Sequence, residues 1–246
     1  MRYEDILKKH FDPVYTEVEF IKKTYKVLEP LGFNDTNTIA GKCICRDEIS
    51  QSIRSVIKHI WGEAFNFSSL AGMFFAGKTG LSAAMHHAPI VDGKERYVFY
   101  AMPHIAINEE GKIGVCRREG RAGESTACGA LFAFQKEMAN GKVNLTMDNE
   151  DVEQSLIRMR LLREIPYGHV PDLLELTRTA LKAIQADLET AISRVVDTNK
   201  SDYAMITGIQ IHGPSSNYVW PASYYAVVDS KRKELIINGQ ASHVQR

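Results

Sequence analysis

Apolar positions along the chain alternate between helical and strand spacing. Behind Pro13, the residues Val14, Val18, Ile21, Tyr25 and Leu28 recur at steps of three and four, which predicts an amphipathic helix closing near Gly32. A polar loop, Asn34-Asp35-Thr36-Asn37, leads into a short strand over 38–45. Ile49, Ile53, Val56, Ile57 and Ile60 then mark a second helix, with Asp47 as its N-cap and Gly62 as its stop. The continuous apolar run Tyr97-Val98-Phe99-Tyr100-Ala101 suits a buried parallel strand. It is followed by a tight polar turn at 109–112 and a return strand holding Cys116. Ser125 or Thr126 can cap a helix that runs through Phe134 toward Gly141. Beyond Asn140, a helix carrying Val152, Leu156, Met159 and Leu162, capped by Asp148 or Asn149, breaks at Pro166-Tyr167-Gly168. A long helix over 170–196 follows, and the chain ends in strands over 204–211, 218–228 and 234–237. The chain shows no internal repeat, low-complexity tract or clear domain boundary.

Composition narrows the function classes. Thirty basic residues balance thirty acidic ones and are scattered, so the chain lacks the footprint of a nucleic-acid binder or a polybasic membrane segment. The start, Met1-Arg2-Tyr3-Glu4-Asp5, carries no apolar signal region, and no apolar stretch approaches the roughly 20 residues that span a bilayer. A soluble cytoplasmic protein is expected. Its four cysteines are then expected as thiols or metal ligands, not as a disulfide framework.

Three residues carry the candidate chemistry. Cys128 falls at the start of a predicted helix, where free N–H groups and the helix dipole favour a thiolate, the form that binds metal. His104 follows the 97–101 run and should emerge at the carboxyl edge of the sheet, where open α/β folds place their sites. Cys45 and Asp47 share one face if their segment is extended. Cys45, His104 and Cys128 together make a Cys2His set with a fourth position open for water, the pattern of zinc sites that do chemistry. Cys43 lies on the same strand face and competes with Cys45; only the Cys-x-Asp spacing selects Cys45. Cys116 reads as a small buried apolar residue. Of the adjacent His86 and His87, at most one can face a given metal, and packing or an interface contact is the simpler role, with proton carriage as the alternative.

Gly72-Met73-Phe74-Phe75-Ala76-Gly77-Lys78-Thr79 matches the P-loop pattern letter for letter. Its Met-Phe-Phe interior, the short helix allowed before Pro89 and the lack of an Asp after the 97–101 strand argue instead for a glycine-rich turn packed under the site.

Taken together, Gly41-Lys42-Cys43-Ile44-Cys45-Arg46-Asp47-Glu48, Leu70-Ala71-Gly72-Met73, Gly77-Lys78-Thr79-Gly80, His86-His87-Ala88-Pro89, Pro103-His104-Ile105-Ala106-Ile107 and Glu124-Ser125-Thr126-Ala127-Cys128-Gly129-Ala130-Leu131 resemble the limiting-CO2-inducible B/C family, which is similar to the β-carbonic anhydrases. The resemblance is densest over 38–134. It implies one β-carbonic anhydrase-like α/β domain over 1–246, its sheet largely parallel and flanked by helices: an N-terminal helical segment (1–37), a zinc-site core (38–140), and helices with C-terminal strands (141–246). It also implies a homodimer, Zn2+ held by Cys45, His104 and Cys128, and CO2 and bicarbonate as substrates.

The implied reaction is reversible hydration of CO2 by zinc-bound hydroxide. Asp47 would orient that hydroxide, or swing onto the metal and silence it, unless an arginine holds it back. Two thiolates neutralise the metal charge, so such a zinc acidifies water less than a three-histidine site does, and the surroundings matter more. Ordinary β-carbonic anhydrases carry Cys-x-Asp-x-Arg and His-x-x-Cys. Here Ile49 replaces that arginine, and a hairpin-like insertion separates His104 from Cys128. Arg46, adjacent to Asp47, is the expected partner, with Arg54 two helical turns on as the other choice. The alternatives to an enzyme are a catalytically silent zinc protein that handles inorganic carbon and a P-loop nucleotide-binding protein.

Overall fold

The computed structural model describes residues 3–237 and 239–241; Met1 and Arg2 of the N-terminal segment lie outside them. In chain order the elements are α1 (Tyr3–Leu7), β1 (Tyr15–Thr16), α2 (Glu17–Leu28), β2 (Thr38–Ile44), α3 (Gln51–Trp61), β3 (Ala64–Asn66), α4 (Gly77–Met85), β4 (Ile90–Val91), β5 (Lys94–Met102), β6 (His104–Ala106), β7 (Val115–Cys116), β8 (Ser125–Thr126), α5 (Gly129–Ala139), α6 (Val152–Leu161), α7 (Leu173–Val195), β9 (Ser201–His212), β10 (Asn217–Val228) and β11 (Lys231–Glu234). The main sheet has the order β1-β10-β9-β5-β2-β3. Its centre is parallel, β3 with β2, β2 with β5, and β9 with both β5 and β6. The β1, β10, β11 and β4 pairings are antiparallel.

Alternation along β2 shows how the strands feed two cores. Ile39 and Cys43 join α4, α5, α6 and α7 on one face. Ala40 and Ile44 join α2 and α3 on the other. Both faces are covered, which is why the central strands read as unbroken apolar runs. Leu176, Ile184, Leu188 and Ile192 of α7 are buried, so its broad apolar face serves the intramolecular core. The second core includes a small polar cluster: the Tyr100 hydroxyl takes the Trp61 indole N–H at 3.0 Å and meets the Thr24 hydroxyl at 2.6 Å. A buried phenol needs such partners.

Element ends differ from the spacing in instructive ways. Val14 lies outside the first long helix, because Thr16 accepts from the Glu19 N–H and starts α2 at Glu17. Ser125 and Thr126 pair as β8 with β7, so they do not cap α5; Cys128 itself is the N-cap. Asp151, not Asp148 or Asn149, precedes α6. No helix among the described residues is long and apolar enough to cross a membrane.

Candidate metal centre

The parallel strands β2, β5 and β9 all run to one edge of the sheet, and their ends bring together what the sequence keeps far apart. Cys45 directly follows β2, His104 opens β6 with only Pro103 between it and the end of β5, and Cys128 caps α5. Their ligand atoms lie within 4.8 Å of one another, and all three residues are buried. Cys43 shares the β2 face, but its thiol donates to the Gly72 carbonyl at 3.2 Å, and burial pushes it up, keeping it protonated. Cys116 is half-buried on β7. His86 and His87 are exposed past the end of α4, His87 with its ring 5.9 Å from that of Phe65.

The donor set fits a soft divalent ion. The His104 Nε2 is fully buried yet has no hydrogen-bond partner, while its Nδ1 is engaged by His212. A buried unpartnered imidazole nitrogen facing two cysteine sulfurs is an expensive arrangement unless a cation takes its lone pair. Without a metal, the two thiols share a proton. The hydrogen bond from Cys128 pulls the Cys45 thiol down, against the opposing effect of burial. The same bond and burial push Cys128 up, opposed by the backbone N–H groups of Leu131 and Ala130 at the helix start.

Asp47 stands beside this triad. Its Oδ1 accepts from the Ile49 N–H at 3.3 Å, capping the turn before α3, so the capping role and the site role coexist. Its Oδ2 is 3.9 Å from the His104 Nε2. The arginine that holds it is neither of those expected from sequence. Arg118, from the loop between β7 and β8, donates from Nη1 to Oδ1 at 2.8 Å and from Nη2 to Oδ2 at 2.9 Å. Arg118 is fixed in turn through its Nε on the Ser125 hydroxyl at 2.9 Å and through Nη2 on the Thr126 carbonyl at 3.2 Å. It also meets the Glu48 carboxylate. Burial pushes the Asp47 carboxyl up, but the hydrogen bonds to Arg118 and Glu48 and the nearby His104 and Arg118 together outweigh it and hold Asp47 well below the usual carboxylate range.

Arg46 pairs with Glu153 at the surface instead; its backbone N–H bonds the Ser69 carbonyl at 3.0 Å, so the chain is still paired there, and neighbouring residues on an extended segment face opposite sides. Arg54 is buried and binds backbone, the Cys45 carbonyl and, at 3.3 Å, the Asp47 carbonyl, so it braces the loop that carries both residues. The P-loop-like segment packs beneath the site: Met73 and Phe74 are buried in the core, Phe74 edge-on to Phe67, and Gly72 leaves no room for a side chain beside the Cys45 N–H and the Met102 carbonyl. Burial of Met73 and Phe74 in the core makes this segment packing for the site and not an open phosphate loop.

Sequence reasoning missed Arg118 and His212. The signal for His212 was present, since it ends an apolar strand just as His104 follows one. Arg118 lies in an irregular loop, and only the return of that loop at Ser125 pointed toward the site.

The fold and the site define an α/β protein with a candidate Cys2His metal centre. The family model of limiting CO2-inducible proteins B/C beta carbonic anhydrases matches residues 14–228. The crystal structure of limiting CO2-inducible protein LCIB is 35% identical, covers 96% of this chain and 99% of its own, and superposes with a TM-score of 0.80. PtLCIB4, a homolog of that protein, shares the fold at 24% identity, with 96% and 99% coverage and a TM-score of 0.81. No curated protein sequence matches the chain. The chain belongs to the limiting CO2-inducible protein B/C family.

Proposed function

We propose that the protein is a zinc-dependent carbonic anhydrase that interconverts CO2 and bicarbonate, with Cys45, His104 and Cys128 holding the metal. The observation that carries this reading is the two-bond pairing of Arg118 with Asp47 beside the triad. When bound, zinc supplies the Lewis acidity that lets water ionise near neutral pH. Asp47 accepts a hydrogen bond from the attacking oxygen and aims a lone pair at carbon. Arg118 keeps both carboxylate oxygens occupied, which would oppose their swing onto a bound metal. Cys45 and Cys128 belong to the buried apolar core on this face of the sheet, which suits an uncharged substrate. The pairing favours this reading over a silent zinc protein, in which the carboxylate itself would close the centre.

The test is metal analysis of the purified protein combined with stopped-flow CO2 hydration. Stoichiometric zinc and a rate above buffer are expected. Stoichiometric zinc with no rate above buffer between about pH 6 and 9, the range where zinc-bound water ionises, would sink the enzymatic reading.

A further inference from the structure

Behind the triad a second histidine completes a one-directional chain of hydrogen bonds. The His104 Nδ1 lies 3.0 Å from the His212 Nε2, with the two rings edge-to-face at 84°. The His212 Nδ1 lies 3.1 Å from the Asn217 Oδ1, and the Asn217 Nδ2 donates to the Ser52 hydroxyl at 3.0 Å. The buried Glu17 carboxylate lies against Ser52, Asn217 and Gln210, which donates to it at 2.6 Å.

Donor and acceptor chemistry sets the direction. An amide oxygen can only accept, so the His212 Nδ1 carries the proton and its Nε2 presents a lone pair. The His104 proton must then sit on Nδ1. That leaves the His104 Nε2 as a bare lone pair, the atom found without a partner beside the two sulfurs.

Every member stands on regular structure. His212 and Asn217 are register partners across β9 and β10, His104 pairs with Gln210 across β6 and β9, and Ser52 is on α3. We propose that His212 is a positioning residue: backed by Asn217, it holds His104 in the Nδ1–H tautomer and aims its Nε2 at the metal. This rests on the zinc reading above and adds to it the residues that prepare the imidazole before any ion arrives. Outer partners of this kind typically carry about 10- to 100-fold in metal affinity.

The test uses the full chain and zinc itself. In metal-free protein labelled with 15N-histidine, NMR should show a protonated Nδ1 and a bare Nε2 on His104. His212→Phe, which keeps an aromatic ring but cannot accept, should give mixed His104 tautomers and about 10- to 100-fold weaker zinc binding in a chelator competition. His212→Gln, which restores an acceptor, should recover most of that loss, whereas a generally damaged fold would not be rescued. If His212→Phe binds zinc as tightly as wild type with an unchanged tautomer, the proposal fails while the metal reading stands. Wild-type protein that takes up no zinc removes both. Should His212→Phe not fold, Asn217→Leu decides: weaker zinc with mixed tautomers supports the proposal, and unchanged values overturn it.

Discussion

Arg118 and Asp47 are 71 residues apart in sequence, yet the guanidinium of one meets both carboxylate oxygens of the other, at 2.8 and 2.9 Å. A planar fork matched to a carboxylate fixes orientation as well as charge, which an ammonium group cannot do. Arg118→Ala should therefore retain zinc but lose about 100-fold in CO2 hydration, the scale expected when a reacting group is misplaced by about an ångström. Arg118→Lys should recover little of it. Zinc content and stopped-flow rates, measured on the same samples, check both outcomes.

The same pairing makes stability depend on pH. The folded Asp47 carboxyl lies below its ordinary value of about 4, so its contribution is complete above that value. It is lost as pH falls further, through the lower folded value. Metal-free wild type should exceed Asp47→Asn by about 1–3 kcal/mol from pH 7 to 5, the scale of a charged hydrogen bond. The gap should close on acidification below about pH 4. Urea midpoints at each pH measure it, and a gap that widens on acidification would contradict the assignment.

How far the sequence reached depended on regularity. Helical spacing found α2, α3 and α7, and apolar runs found β2, β5, β9 and β10, because burial on fixed faces leaves a periodic trace. The Cys45, His104 and Cys128 cluster was legible because each follows or begins a regular element. Arg46 was chosen on the expectation that alternation would fail at the end of β2, yet its partner is Glu153 and not Asp47. Arg118 was out of reach, since its loop between β7 and β8 has no period and its partner is distant. The strand reading stopped at Ile211, one residue short of His212, and so passed over the group that meets His104.

Gly72 offers a test of the floor of the site. Its φ of +73° is a region that L side chains avoid, and a Cβ there would meet the Met102 carbonyl oxygen at 2.5 Å and the Cys45 nitrogen at 3.2 Å. Both neighbours are backbone and cannot turn aside. Gly72→Ala should cost more than the roughly 1–3 kcal/mol of a strained residue and should weaken zinc binding by displacing Cys45. Gly77 has a φ of +61° but nothing within 4 Å of a Cβ, so Gly77→Ala should pay only the conformational strain and leave zinc binding intact. Thermal melts with and without zinc separate the two.

Cys43 and Cys45 occupy one strand face, yet they should respond to substitution in opposite ways. The Cys43 thiol, pushed up by burial, donates to the Gly72 carbonyl at 3.2 Å, so it acts as a small packed donor. Cys43→Ala should keep stoichiometric zinc and lose about 1–3 kcal/mol, the cost of leaving a buried acceptor unpaired together with a small void. Cys45→Ala removes one of three converging donors and should leave the purified protein without zinc. Its thermal midpoint should no longer rise when zinc is added, because only ligand bound to the folded state shifts that midpoint. Zinc lost from Cys43→Ala but kept by Cys45→Ala would reverse the assignment of the third donor.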